Sequence, residues 1–161
     1  MAKKQGRRGH KKTSVQPKTI QNRRARHDYV LEDSLVVGIE LTGAETKALR
    51  LGHGQLRGAY VTVKDGELYL LNGMVHGSTG VPIDEATQTR TRKLLAKRRE
   101  IDALIEAKTH GRTILPLEML TSGRYIKLRI SVGKGKKQYD KRQALKQKDE
   151  DRTMRREIKL R

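Results

Sequence analysis

The sequence predicts a mainly β fold, a small antiparallel barrel with helices at its openings, between two basic tails. Short β-rich runs follow one another along the chain with only two helix-like segments among them, whereas a doubly wound parallel sheet would place a helix between most strands. The apolar pattern is confined to one block, residues 27–132. Phe and Trp are absent, so Leu, Ile and Val must fill the core of this block.

Charge divides the 161 residues into three parts. Residues 1–26 hold ten Lys/Arg and no Asp/Glu, residues 27–133 hold fifteen against thirteen, and residues 134–161 hold twelve against five. The ends therefore carry most of the net charge of +19. We predict a disordered basic arm over residues 1–21, a barrel domain over residues 22–133, and a basic tail over residues 134–161 that becomes helical only against a partner.

The strands are predicted from runs rich in β-branched and aromatic residues, each bounded by turn residues. Gly38 lies inside one run and indicates a bend or bulge. Asp65-Gly66 is the signal of a type I′ turn, so the runs around it form a hairpin. Pro116 indicates an edge strand or a bulge. The predicted strands are residues 29–32, 35–41, 59–64, 67–71, 113–120 and 124–132, with a shorter one at 74–76.

Two helices are predicted inside the block. Thr42 followed by Glu45 has the spacing of a capping box, which indicates a short helix opening after Thr42. The second helix is expected over residues 89–108, because Leu94 and Ile101 belong to an apolar set at helical spacing.

The sequence contains no recognisable set of catalytic residues or metal ligands. The chain has no Cys, and its five His are scattered without metal-ligand spacing. The Gly-Lys run at 133–137 lacks the spacing and the strand–loop–helix context of a P-loop. Its acidic pairs are adjacent in charged sequence, where a raised carboxyl pKa is not expected. The expectation is therefore a chain that is not an enzyme and needs no metal or cofactor.

The compartment and the membrane are judged from apolar segments. The sequence has no visible signal peptide and no apolar run near ~18 residues, and we predict a cytoplasmic protein. Neither tail has an apolar face with aromatic anchors, which disfavours a membrane surface.

The basic ends point to a polyanion, since neutralising phosphates releases counterions. Aromatic residues are scarce, with five Tyr in all, which disfavours recognition by stacking of single strands on a sheet. A structured nucleic acid recognised by shape and phosphate contact fits better. Tyr139 is the exception, the one aromatic in a basic tail. The sequence leaves open whether its ring stacks on a base or stays in solvent.

Four stretches together resemble the small protein B family, the bacterial partner of transfer-messenger RNA. Their order and spacing carry the resemblance, which covers about residues 22–142. The stretches are Asn22-Arg-Arg-Ala-Arg-His-Asp-Tyr29, Gly43-Ala-Glu-Thr-Lys-Ala-Leu-Arg50, Arg90-Thr-Arg-Lys-Leu-Leu95 and Gly133-Lys-Gly-Lys-Lys-Gln-Tyr-Asp-Lys-Arg142.

The resemblance implies an OB-like barrel and no enzyme activity. It implies that the barrel binds the transfer-RNA-like end of transfer-messenger RNA and helps bring that alanine-charged RNA to stalled ribosomes. The tail would enter the empty messenger channel near the decoding centre, against small-subunit ribosomal RNA, and become helical there. Elongation factor Tu is implied as a partner through the RNA, and a direct contact with this chain is left open.

The family motifs also carry site residues over to this chain. The resemblance implies transfer-messenger RNA contacts, several of them to phosphates, at Asn22, Arg23, Arg24, Arg26, Lys47, Arg50, Arg92, Lys93 and Leu95. Glu45 matches the family pattern too, but it also serves the capping box. The resemblance implies contacts of the tail with the ribosome at Lys134, Lys136, Lys137, Tyr139, Asp140, Lys141 and Arg142.

The chain departs from the family pattern at several positions. Relatives commonly carry an RNA-binding acidic residue where this chain has Val36, and some carry a large aromatic where it has Ala44. Tyr139 is His in some relatives, and Tyr keeps a flat ring without a positive charge. The loop at 77–88 matches weakly.

Two rival functions share parts of this pattern. A ribosomal or ribosome-assembly protein would also have basic tails and a small barrel, but it would need no motif at residues 139–142. An RNA-modifying enzyme is disfavoured because no catalytic constellation is visible in the sequence.

Overall fold

An antiparallel sheet that closes on itself dominates the computed structural model, which describes residues 19–137 and the isolated positions Lys146, Glu150 and Met154. The helices are α1 (Arg23–Asp28), α2 (Gly43–Arg50), α3 (Glu85–Gln88) and α4 (Arg98–Thr109). The strands are β1 (Ile20–Gln21), β2 (Tyr29–Ile39), β3 (Gly54–Gln55), β4 (Tyr60–Lys64), β5 (Glu67–Leu71), β6 (Met74–Val75), β7 (Arg92–Leu95), β8 (Thr113–Leu120) and β9 (Lys127–Gly135).

The strand order makes the sheet a closed ring. Strands β8, β4, β5, β7, β2 and β9 are neighbours in that order, and β9 pairs back to β8. All of these pairings are antiparallel. Strand β1 adds to β8, and β3 pairs with β6 in a separate ribbon. The predicted mainly β, antiparallel fold is confirmed.

Aliphatic side chains fill the ring, as the absence of Phe and Trp requires. Leu68, Leu70, Leu128 and Ile130 are fully buried. Helix α2 follows the Ile39 end of β2, and α4 precedes the start of β8; both helices contribute apolar side chains to the same core. Burying such a side chain stabilises the fold by roughly 1.5–3 kcal/mol.

The two locally encoded elements form as predicted. In α2, the Thr42 Oγ1 accepts from the Glu45 N–H at 3.3 Å, and the Glu45 carboxylate accepts from the Thr42 N–H at 2.8 Å. In the hairpin of β4 and β5, Asp65 and Gly66 have φ of 52° and 74°, the two positive values of a type I′ turn. The Pro116 prediction is also confirmed, since the β8–β9 register shifts between Pro116 and Glu118.

The helix predicted over residues 89–108 is wrong over residues 89–97, nearly half of its length. Residues 92–95 are strand β7, which pairs with β5 and β2, and α4 begins only at Arg98. Leu94 fits both patterns, because the buried Arg92 and Leu94 alternate with the half-buried Lys93 and the exposed Leu95, as in a strand. Pairing on both sides of β7 outweighs the helical propensity of the segment.

The bulge predicted at Gly38 lies elsewhere in the strand. Residues 29–39 form one strand whose register against β9 shifts between Leu31 and Ser34. Gly38 instead allows close packing, because a Cβ there would lie 3.1 Å from the Cβ of Leu95. A side chain at this position would crowd Leu95, so glycine suits the close approach of β2 and β7.

The folded domain is longer at both ends than residues 22–133. Ile20 and Gln21 pair with Met119 and Glu118, and β9 continues to Gly135, which pairs with Tyr29. Helices α1 and α3 and the short strands β1 and β3 were not predicted, and α3 lies within the loop at 77–88. Two-residue strands carry too little pattern to be recognised from sequence.

No helix within the described residues is long and apolar enough to cross a membrane. The predicted disorder of residues 1–18 and the predicted helix beyond residue 140 lie outside the described residues, apart from the helical and exposed positions Lys146, Glu150 and Met154.

Candidate nucleic-acid interface

An apolar patch lies on the outer face of the sheet where β2, β7 and β9 meet. Leu95 is 55% exposed and Val36 is 41% exposed, and Gly38 lies beside them, paired with Leu95 on one side and Lys127 on the other. We call Val36, Gly38 and Leu95 the apolar patch. Lys127 and Arg129, opposite Gly38 and Val36 on β9, add cations at its rim, so the patch can contact a base or sugar while its rim holds phosphates.

Val36 stands at the position where the family resemblance implies an acidic residue, and its cross-strand partner is Arg129. The Arg129 guanidinium instead pairs with Glu118 on β8, at 2.6 Å from Nη1 to Oε1. The acid that neutralises Arg129 thus comes from the opposite neighbouring strand. The missing carboxylate at position 36 therefore leaves no unpaired cation at Arg129.

Lys93, on β7, is accessible but paired. Its Nζ lies 2.6 Å from the Glu67 carboxylate, which also accepts from the Tyr69 hydroxyl at 3.0 Å. The hydrogen bond from Lys93 lowers the pKa of Glu67, and the same bond raises the pKa of Lys93. Exposed pairs of this kind contribute little to the stability of a fold. A phosphate can therefore replace Glu67 at little cost, and the position of Lys93 suits the predicted contact.

Arg92 corrects the predicted phosphate contacts. Its side chain is fully buried and pairs with Glu45 at 2.8 Å. The same guanidinium donates to the carbonyls of Gly73, Gln88 and Arg90. All of its donors therefore point into the domain, and the predicted phosphate contact at Arg92 is wrong.

Glu45 is the centre of a buried ionic network that also includes Arg90. Arg90 donates from Nε and Nη2 to the two Glu45 oxygens, at 2.8 and 2.6 Å. Burial raises the pKa of Glu45, but hydrogen bonds from Arg90 and the Thr42 N–H, with the charge of Arg92, outweigh burial and hold it at about 2. We call Glu45, Arg90 and Arg92 the ionic network. It fixes α2 against β7.

Helix α2 presents two of the predicted cations. Lys47 and Arg50 are exposed. The Arg50 Nη2 donates to the carbonyl of Arg124 at 2.9 Å and to that of Gly123 at 3.4 Å. Arg50 therefore joins α2 to the β8–β9 loop, at the end of β9 that also carries Lys127.

Asn22 is buried and caps α1. Its Oδ1 accepts from the Ala25 N–H at 3.2 Å, and its Nδ2 donates to the Pro116 carbonyl at 3.0 Å. Both ends of the amide are thus used within the domain. Asn22 therefore holds the start of α1 against β8. Arg23, Arg24 and Arg26 on this helix are exposed.

An open cleft of about 760 Å³ runs beside α1. Its lining includes Arg23 and Arg24 of α1 and Arg57 from the segment after β3. Arg57 was not predicted, because it lies in no motif and only the tertiary fold brings it to the cleft beside α1.

The tail leaves the domain beside α1, far from the apolar patch. The Lys136 N–H donates to the Asp28 carbonyl at 2.9 Å, and its Nζ donates to the Arg26 carbonyl at 3.3 Å. From Lys127 to Gly135, β9 spans about 26 Å at the usual rise per residue. The start of the tail therefore lies at the opposite end of β9 from Lys127 and the apolar patch.

The predicted site residues are distributed over the fold as follows. Lys47, Arg50, Lys93 and Leu95 lie on α2 and β7 at the apolar-patch end, and Lys134, Lys136 and Lys137 lie at the tail end. Asn22 caps α1, which carries Arg23, Arg24 and Arg26, and Arg23 and Arg24 line a cleft that Gly52, just after α2, also lines. Tyr139, Asp140, Lys141 and Arg142 lie outside the described residues.

The part of the chain that the structure describes has no candidate metal site, because no three His, Cys, Asp or Glu side chains come together there. The two buried carboxylates, Glu45 and Glu118, each pair with arginine. What the described domain offers a ligand is an outer surface with cations at both ends.

Comparison with known proteins extends over nearly the whole chain. A family model described as SmpB protein matches residues 19–160. An SsrA-binding protein of Macrococcus caseolyticus is 42% identical over 147 residues, covering 88% of this chain and 93% of that protein. An SsrA-binding protein of Coprothermobacter proteolyticus is 44% identical over 145 residues, covering 88% and 96%.

A solved structure is similar in fold as well as sequence. It comes from work described as "tmRNA-SmpB: a journey to the center of the bacterial ribosome". The match has a TM-score of 0.58 and 36% identity, and it covers 74% of this chain and 85% of that chain.

Proposed function

The chain belongs to the SmpB protein family, and from this membership we propose that it is an RNA-binding adaptor of ribosome rescue. In this proposal the barrel binds transfer-messenger RNA and the tail acts on the ribosome, in the cytoplasm where ribosomes work. The protein contributes binding and positioning and catalyses no reaction itself.

The extent of the family match carries the proposal. The match runs from residue 19 to residue 160, so it includes the basic tail as well as the barrel. A chain that shared only a barrel fold with other RNA-binding proteins would not match through its tail. The relatives are named for binding SsrA RNA, and the solved neighbour joins that RNA, the family and the bacterial ribosome.

The apolar-patch end is the surface we assign to transfer-messenger RNA. Leu95 and Val36 supply an apolar contact, while Lys47, Lys93 and Lys127 supply cations around it. Such a surface suits a structured RNA held through its shape and phosphates. Arg92 has no direct part in this contact and acts by holding α2 in place.

The tail end is the surface we assign to the ribosome. Strand β9 directs the chain away from the apolar patch before the tail begins. One molecule can therefore bind the RNA at one end and reach into the empty messenger channel near the decoding centre with the other. The tail residues proposed to contact ribosomal RNA are Lys134, Lys136, Lys137, Tyr139, Asp140, Lys141 and Arg142.

Substitution of Leu95 by Asp is expected to weaken binding to transfer-messenger RNA by at least about tenfold, since an apolar contact is lost and a negative charge faces phosphates. Val30 offers a matched control, because it is also 55% exposed and lies on β2 opposite Lys134 at the tail end. Val30→Asp is expected to bind within about twofold of the unchanged protein, because its new negative charge lies at the tail end, away from the surface assigned to the RNA.

Filter binding at fixed salt measures both variants, and circular dichroism checks that both fold. Equal loss in the two variants would contradict the assignment of the RNA to the apolar-patch end. Unchanged affinity in Leu95→Asp would contradict it as well.

A further inference from the structure

Tyr125 is the most exposed large apolar or aromatic side chain in the part of the chain that the structure describes, at 69%. It lies in the loop between β8 and β9. A tyrosine in a folded domain commonly buries most of its ring, which removes roughly 150–250 Å² of surface from water. This ring contributes almost nothing to the core.

The loop that carries Tyr125 is held in place. The flanking residues Thr121 and Ile126 are each only 5% exposed. Arg50 donates to the loop carbonyls of Gly123 and Arg124. The ring is therefore presented to solvent on a fixed backbone, which limits the ordering cost of a ligand that binds it.

A cation lies on the ring itself. The Arg124 guanidinium carbon is 5.4 Å from the centroid of the Tyr125 ring, a cation–π distance. The guanidinium covers one face of the ring, so the opposite face is available to a flat partner. A nucleobase is such a partner, and every base has a π face that can stack on an aromatic side chain.

The charge around the ring selects for an anionic partner. Residues 121–127 contain Arg124 and Lys127 and no Asp or Glu, and Arg50 adds a third cation. Lys127 pairs with Gly38 of the apolar patch, so the loop adjoins the surface assigned to RNA. The ring lies at the opposite end of β9 from the tail, which favours transfer-messenger RNA over ribosomal RNA as its partner.

We propose that the free face of Tyr125 stacks on an unpaired base of transfer-messenger RNA, with Arg124 on the other face. Arg50 is a positioning residue for this contact, because it fixes the loop backbone and leaves the ring free. The proposal rests on the proposed function and adds to it a residue that carries base contact at the edge of the apolar patch.

Tryptophan fluorescence tests the stacking directly, because the chain contains no Trp. In the full-length Tyr125→Trp variant the new indole is the sole tryptophan, and titration with transfer-messenger RNA is expected to quench its emission as a base stacks on it. Tyr60, on β4, is 40% exposed and provides the matched position. Tyr60→Trp is expected to keep its emission through the same titration.

Affinity provides a second readout. Tyr125→Ala is expected to bind transfer-messenger RNA roughly tenfold more weakly, the loss typical of removing one base–aromatic stack. Tyr125→Phe keeps the ring and is expected to stay within about twofold of the unchanged protein, as is Tyr60→Ala.

The outcomes separate this proposal from the proposed function. If the unchanged protein prefers transfer-messenger RNA to ordinary transfer RNA, but Tyr125→Trp emission does not change at saturation and Tyr125→Ala binds normally, stacking is overturned and the adaptor function stands. If the unchanged protein shows no preference between the two RNAs, both proposals are overturned.

Discussion

A chain that ends after Lys137 is expected to bind transfer-messenger RNA with nearly unchanged affinity and to lose alanine tagging on stalled ribosomes almost completely. The cut keeps all of β9 and the hydrogen bonds from Lys136 to the Asp28 and Arg26 carbonyls. The domain therefore stays intact, together with the surface assigned to the RNA. What is removed is the segment proposed to occupy the messenger channel.

Deletion of residues 1–18 is the matched control for lost positive charge. That arm holds seven Lys/Arg and no Asp/Glu, whereas residues 138–161 hold nine against five, so removing the arm takes away more net charge. If the tail acted only as a general cation, the arm deletion would impair tagging at least as much. Loss of RNA affinity in the tail truncation would contradict separate roles for the two ends.

Replacing Arg92 by Met is expected to lower the free energy of unfolding by about 3–5 kcal/mol, the usual cost of removing one partner of a buried ion pair. The change removes one of the two cations that hold buried Glu45, and it leaves the Gly73 and Gln88 carbonyls without their donor. Urea denaturation followed by circular dichroism measures the loss.

Arg112→Met is the matched control. Arg112 pairs with Glu32 at 2.6 Å, but both side chains are more than two-fifths exposed, so its loss is expected to cost no more than about 1 kcal/mol. Equal effects of Arg92→Met and Arg112→Met on the urea midpoint would show that burial of the ionic network adds nothing to stability.

The ionic network also predicts a pH dependence of stability. The pKa of Glu45 falls from its usual 4.5 to about 2 in the folded protein. The stabilisation, about 3 kcal/mol for a shift of this size, is complete above pH 4.5 and is lost as the pH falls towards 2. Glu45→Gln removes this carboxylate, so its stability is expected to change less with pH over that range.

Signals confined to a few adjacent residues predicted structure correctly. Thr42 and Glu45 specify the start of α2 by themselves, and Asp65-Gly66 specifies the hairpin, because each pair acts through hydrogen bonds and dihedral angles within its own turn. Asn22 is a similar signal that could have been used, since asparagine before α1 is a favoured N-cap.

Interactions distant in sequence account for what was missed. The pairing of Arg92 with Glu45 joins residues 47 positions apart, and neither residue differs locally from an exposed charge. Strand β7 forms because β2 and β5 lie on either side of it, which no pattern within residues 92–95 can express. Arg57 and Tyr125 lie in no motif, and only the fold brings them beside α1 and the apolar patch.

Binding of the full-length protein to RNA tests the adaptor role most directly. The purified chain would be titrated against transfer-messenger RNA from the same cell, an ordinary transfer RNA and a random RNA over a series of salt concentrations. We expect selective binding to transfer-messenger RNA that persists at ~0.2 M salt, where purely electrostatic binding weakens steeply. Equal and equally salt-sensitive binding to all three RNAs would contradict the adaptor role and leave a basic protein without a specific RNA partner.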